Sequence, residues 1–314
     1  MMKILNLKII TAIVLILSLS SFACEDEPKG DKGDAIVKKK EKKVLFIGID
    51  GLVWKTLIPE NAPTLSSLMK ESWVSTNAVA ELPTWSANGW SALFTGVSVE
   101  KHKAKTNSFA NADFVNYPSF FRYIKQKNPN ARTVSAVSWL PIHDKIIADS
   151  DVTSKISSTG ANYAEADAKD EIAIVDELTN RNPDVVFCYF ADVDGVGHSS
   201  NFKPTNPTYL KAVKKADQRV ANVLAALKAR PNYKNEDWLI VVSTDHGGDG
   251  SHGGSSYPEQ NAFIILNNKA IKPKLISGET IVGAPYLYNV PPTILSFLGV
   301  PIPENYDGKS LVKF

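Results

Sequence analysis

Acidic and histidine side chains gather at a few points of the chain. Asp50 precedes Gly51; Asp192, Asp194 and His198 share ADVDGVGH; Asp245 and His246 are adjacent; His252 lies in the glycine-rich GGDGSHGG. Carboxylate oxygens and imidazole nitrogens are donors that zinc accepts. The glycines between them let the backbone turn tightly enough for such ligands to converge. Singly, an Asp after a strand is usually a turn former or helix cap, and a His in a loop is solvated. The pattern says more than its parts, because three of the five histidines directly follow two apolar runs, each near an Asp.

Ligands scattered this widely need a frame that brings them to one edge. The apolar runs 44–49, 133–139, 184–190 and 237–244 read as buried strands. Residues 64–72 and 86–96 fit helices, and 164–181 and 210–229 are longer and amphipathic. This alternation predicts an α/β domain over 44–314, with a mainly parallel central sheet flanked by helices on both faces. Ligands of open α/β sheets gather beyond the carboxyl ends of the strands, which is where these acids and histidines fall. Residues 97–132 have no clean period and are read as a cap insertion over the site.

The N-terminus reads as an export signal. Lys3 and Lys8 precede an unbroken apolar and small-residue run over 9–23. That run is shorter than the roughly 20 residues a membrane span needs, so 1–23 is read as a signal peptide, with a transmembrane anchor as the alternative. Ala23–Cys24 resembles a bacterial lipoprotein cleavage box, although Ser21 stands where Leu is usual. The resemblance implies lipidation at Cys24 and anchoring on the periplasmic or cell-surface side of an outer membrane; plain secretion is the alternative. Residues 24–43 are charged and nearly free of apolar side chains, hence a flexible tether. Its start, Glu25–Asp26–Glu27, resembles sorting signals of surface lipoproteins in some Gram-negative bacteria. Without Lys3 and Lys8 the 35 basic residues become 33, equal to the 33 acidic ones. That balance gives no support for nucleic acid as a partner. Cys188, in an apolar run, is read as a buried inert thiol.

IGIDG, DVDGVGH, STDHGG and SHGG occur in that order from Val44 onward. They resemble the alkaline phosphatase superfamily, and within it the type I phosphodiesterase/nucleotide pyrophosphatase group. Residues 291–311 are similar to that group's closing helix and following loop. The resemblance implies a phosphate-ester hydrolase with two divalent metal ions, zinc by its donors, and a covalent phospho-seryl intermediate. A phosphomonoesterase of the same superfamily is the near alternative, and a non-catalytic surface-binding lipoprotein the distant one.

By that resemblance Asp194, His198 and His252 hold the first ion, and Asp50, Asp245 and His246 the second. Asp192 is structural or outside the ligand set. Aligning Trp90 and Thr95–Gly96 places Ser86 at the nucleophile position, with Thr84 as its rival. Ser86 would open a helix, whose free N–H groups can bind phosphate oxygens. Gly89 stands where an Asn is expected to hold a phosphate oxygen, so Asn88 or the backbone takes that role. Trp85 is a candidate substrate contact, and His143 borders the pocket. Neither Cys lies near Ser86, which argues against sulfatases that use a modified cysteine. The expected partner is a small phosphate ester.

Overall fold

The structure, a computed structural model, describes residues 40–314. The signal segment, Cys24 and most of the tether lie outside the described residues. In chain order the elements are β1 (Glu41–Ile49), α1 (Pro63–Lys70), β2 (Trp73–Val79), α2 (Ser86–Thr95), α3 (Val99–His102), α4 (Phe120–Lys127), β3 (Thr133–Val137), β4 (Ser154–Ser157), α5 (Tyr163–Asn180), β5 (Val185–Phe190), α6 (Asp192–Ser200), α7 (Pro207–Lys228), β6 (Glu236–Ser243), α8 (Tyr257–Gln260), β7 (Asn261–Asn267), β8 (Lys274–Ile276) and α9 (Val290–Leu298). The eight strands form one sheet in the order β4-β3-β5-β1-β6-β7-β2-β8. β1 is central and parallel to both β5 and β6, while β7 runs antiparallel to β6 and β2. The mainly parallel sheet is therefore as expected, with β7 its one reversed strand among those described.

Alternation along the central strands builds two cores. Val44 and Phe46 of β1, with Phe187 and Tyr189 of β5, face α2, α4 and α9. Leu45, Ile47 and Ile49, with Val186 and Cys188, face α1, α5 and α7. Helix starts are fixed locally. The Asn162 side chain accepts from Glu165 N at the start of α5, and Asn206 from Thr208 N at the start of α7, followed by Pro207. Each satisfies a backbone N–H that the helix leaves without a partner.

The start of the folded domain differs from expectation. β1 begins at Glu41, inside the predicted tether, because Glu41–Lys43 pair with Glu236–Trp238 of β6. Lys43 is wholly buried, its ammonium donating to Pro183 O and Asp184 Oδ1, both at 3.1 Å. The segment 97–132 forms α3 and α4. Its Phe109, Phe120 and Phe121 join the core cluster that includes Trp90, Leu93 and Phe94 of α2. Strands β2, β4, β7 and β8 were not among the four predicted.

Candidate metal centre and active site

Five of the six candidate ligand side chains are carried to the carboxyl edge of a central strand, and His252 lies in the loop between β6 and α8. Asp50 directly follows β1, Asp194 and His198 sit one turn apart on α6 just after β5, and Asp245 and His246 follow β6. α6 is pinned at its start by Asp167 of α5, which accepts from Ala191 N and Asp192 N, each at 2.9 Å. Asp192 thereby contributes its main chain to the support of α6. At Gly51 (φ +60°) a Cβ would press on Asp194 Oδ1 at 2.8 Å, so the strand's exit turn needs glycine.

The ligand atoms form two groups that share Asp194: Asp194, His198 and His252; and Asp50, Asp194 and His246. In the first, His252 Nε2 lies 2.9 Å from His198 Nε2 and 3.4 Å from Asp194 Oδ1. In the second, His246 Nε2 lies 3.5 Å from Asp50 Oδ1 and 3.8 Å from Asp194 Oδ1. Asp245 Oδ2 stands 3.2 Å from His246 Nε2. The structure thus brings together all six side chains named from sequence, and Asp194 stands between the groups.

The environment fits cations. Asp50 Oδ1, Asp194 Oδ1, Asp245 Oδ2 and His246 Nε2 are all buried without a hydrogen-bond partner. Such atoms are costly unless an ion or donor satisfies them. In Asp50, Asp245, His246 and His252 the opposite atom is already committed. Asp50 Oδ2 accepts from Tyr189 Oη at 2.6 Å and Trp90 Nε1 at 2.8 Å. Asp245 Oδ1 accepts from Gly51 N at 3.1 Å. His246 Nδ1–H donates to Gly247 O and His252 Nδ1–H to Thr84 O, both at 2.8 Å, which turns each Nε2 lone pair inward.

Electrostatics agree. Burial, then the charge of Asp194, pushes Asp50 up to about 8, and Asp245 is raised well above the ordinary range by burial and the same acids. Burial drives His246 down to about 3. Burial would raise Asp194 too, but its hydrogen bond to His198 and the neighbouring imidazoles hold it below its usual value. Several carboxylates packed together resist ionising unless positive charge is added among them.

Ser86 is bracketed by this centre. Two residues earlier, Thr84 holds His252. The next residue, Trp85, is 38% exposed and meets the His252 ring edge-on at 6.3 Å. Three residues later, Gly89 lies against the Asp245 main chain, and Trp90 reaches Asp50. Ser86 is the first residue of α2 and almost fully buried. Its hydroxyl is engaged by none of the hydrogen bonds that hold this loop, whereas Thr84 Oγ1 accepts from Gly253 N and donates to Gly254 O. Of the two rivals, only Ser86 carries an uncommitted hydroxyl there.

Asn88 is buried, and both its Nδ2 bonds go to main-chain carbonyls, Glu81 O and Pro83 O at 2.9 Å, so its amide donors brace the loop before Ser86, while its Oδ1 has no partner. Gly89 has a packing reason, since no side chain fits between α2 and Asp245. The amide at the start of α2 comes instead from Asn107, whose Oδ1 accepts from Ala87 N at 3.0 Å. Nothing in the local sequence marks Asn107, which lies 21 residues after Ser86 in the aperiodic segment. His143 is held between Ser157 Oγ and Ser135 Oγ at 2.8 Å each, a buried link between β3 and β4. A cleft of about 490 Å³ is lined by Trp139, Leu140, Pro141 and Tyr163 among others. Tyr163 packs 2.8 Å from where a Gly195 Cβ would stand, next to Asp194. A cavity of about 520 Å³ around Lys40 and Trp238 lies at the other end of the strands, away from these ligands.

Residues 44–140 and 121–273 match the family described as type I phosphodiesterase / nucleotide pyrophosphatase, and the chain belongs to it, within the alkaline phosphatase superfamily. GPI ethanolamine phosphate transferase 3 of Schizosaccharomyces pombe is 24% identical over 308 residues, covering 89% of this chain and 31% of that protein. The chain spans about a quarter to a third of the length of the curated relatives it matches. Murine ectonucleotide pyrophosphatase / phosphodiesterase 5, solved in complex with AMP, has a TM-score of 0.64 at 14% identity, covering 85% of this chain and 98% of its own. A 2-O GAG sulfatase has a TM-score of 0.68 at 15% identity, covering 87% and 73%. These two structures share the fold.

Proposed function

We propose that the chain is a two-metal phosphodiesterase whose nucleophile is Ser86. The observation that carries the reading is the convergence of four buried, unpartnered atoms on Asp50, Asp194, Asp245 and His246, together with the uncommitted hydroxyl of Ser86 at the start of the helix whose Gly89 and Trp90 meet Asp245 and Asp50. Asp194, His198 and His252 would hold one divalent ion, and Asp50, Asp245 and His246, with Asp194 alongside, the other; the mixed carboxylate and imidazole donors suit zinc. Bound there, two such ions supply Lewis-acid activation of a hydroxyl and stabilisation of a leaving oxygen.

Ser86 Oγ gives up its proton and forms a bond to phosphorus while the bond to the leaving oxygen breaks, and the leaving group departs as an alcohol. Water then cleaves the phospho-seryl ester, restoring the Ser86 hydroxyl and releasing a phosphomonoester. The start of α2 favours the phosphate charge, and Asn107 stands at that terminus. The cleft beside Tyr163 offers room for the organic group that a diester retains and a monoester lacks. Trp85 supplies an exposed aromatic face at the other side, next to His252. Sulfatases that use a modified cysteine are a poor fit, because Cys188, the one cysteine among the described residues, is buried in β5.

The test is a panel of an aryl phosphodiester, an aryl phosphomonoester and an aryl sulfate, with and without added zinc. Zinc-dependent turnover led by the diester is expected. Preference for the monoester would reassign the substrate class, and no turnover with no bound ion would favour a non-catalytic binding protein. The leader is read as that of an exported lipoprotein anchored through Cys24; loss of fatty-acid labelling in Cys24→Ala checks it.

A further inference from the structure

We infer that Thr84 is a positioning residue that locks the nucleophile loop to the third ligand of the first ion group, an inference that rests on the two-ion reading above. Thr84 is 1% exposed and makes four bonds to one short segment, 252–254. Its carbonyl accepts from His252 Nδ1 at 2.8 Å. Its Oγ1 accepts from Gly253 N at 3.0 Å and donates to Gly254 O at 3.2 Å. Its own N–H points to the same Gly254 O at 3.4 Å. One residue, through its main chain and its hydroxyl, therefore ties the stretch before Ser86 to the glycine-rich loop that carries His252.

That tie fixes two things at once. It keeps the Thr84 carbonyl in reach of His252 Nδ1, so that Nδ1 carries the proton and Nε2 faces His198 and Asp194. It also anchors the chain two residues before Ser86, with Trp85 between them meeting the same ring. The clamp continues on the far side of the loop. Glu259 accepts from Gly254 N at 3.1 Å, and its main-chain O accepts from Gly247 N at 2.8 Å, beside the carbonyl that orients His246. A hydroxyl is needed at residue 84 because one atom must both accept and donate, which a methyl cannot do.

The test uses Thr84→Val, which keeps the shape and removes the hydroxyl, and Thr84→Ser, which keeps the hydroxyl. Zinc affinities of both sites are measured by competition with a chelator, alongside kcat and KM for an aryl phosphodiester. Thr84→Val is expected to weaken one of the two zinc ions by roughly 10–100-fold and leave the other within a few-fold, with kcat falling more than KM rises. Thr84→Ser is expected to restore both affinities. Unchanged affinities in Thr84→Val, or a Thr84→Ser variant as impaired as Thr84→Val, would overturn the inference. If Thr84→Val does not fold, the Ser variant decides alone: wild-type affinities support the clamp, and loss of one site contradicts it. Wild-type protein that binds two ions but hydrolyses no ester would sink the proposed function and leave the clamp standing.

Discussion

Gly89 of α2 rests directly on the main chain of Asp245, with no room for a β-carbon between them. This contact joins the helix that begins at Ser86 to the loop that carries Asp245 and His246. In an ordinary helix interior, Gly→Ala gains up to about 1 kcal/mol. Here overpacking of about 1–3 kcal/mol should win. Gly89→Ala is expected to unfold at a lower temperature than the wild type and to bind zinc less tightly. An equal or higher midpoint in a thermal melt would show that the interface yields.

Tyr189 and Trp90 jointly commit one oxygen of Asp50 and leave the other for the metal centre. Tyr189→Phe removes the shorter of these bonds and little volume. Zinc binding at the Asp50 site is expected to weaken roughly tenfold or more, with the other site unaffected. A chelator competition titration reads this directly, and two unchanged affinities would contradict it.

Glu81 links the loop before Ser86 to α3 by accepting from Val99 N at 2.8 Å. Burial pushes its carboxyl up to about 7, partly offset by that bond. An acid raised in the folded state binds more protons there than when unfolded. It therefore adds stability below about pH 4.5 that is lost as pH rises through 7. Glu81→Gln should match the wild type near pH 4 and exceed it at pH 8 by on the order of 2 kcal/mol. Denaturant melts at the two pH values test the sign; a variant weaker at pH 8 would refute it.

Cys188 is fully buried in β5, and burial raises its thiol well above the usual range. Native protein should resist a thiol reagent and react at this residue only after unfolding. Rapid labelling of the folded chain would show that β5 opens.

Much of this was legible because the central strands are apolar on both faces, as buried parallel strands must be. Their ends carry the acids and histidines, so a ligand set follows from order along the chain. β2 was harder to read. Ser75, Thr76 and Asn77 look like loop residues, yet all three are buried, with Thr76 O satisfied by Asn261 from a strand far along the chain. The apolar run of β7 resembles those of the other strands, but its antiparallel direction is set by its partners. At the candidate site, type and order picked out the acids and histidines that converge, whereas the tasks of Asn88, Asn107 and Thr84 depend on which backbone groups lie within reach. Glycine at 89 is explained only by the main chain of Asp245.

The central claim is tested most directly by Ser86→Ala, with kcat on an aryl phosphodiester and bound zinc measured on the same sample. Turnover is expected to fall on the order of 10³-fold or more while zinc stays near two per chain. Full activity in Ser86→Ala, with its zinc retained, would show that another group attacks phosphorus.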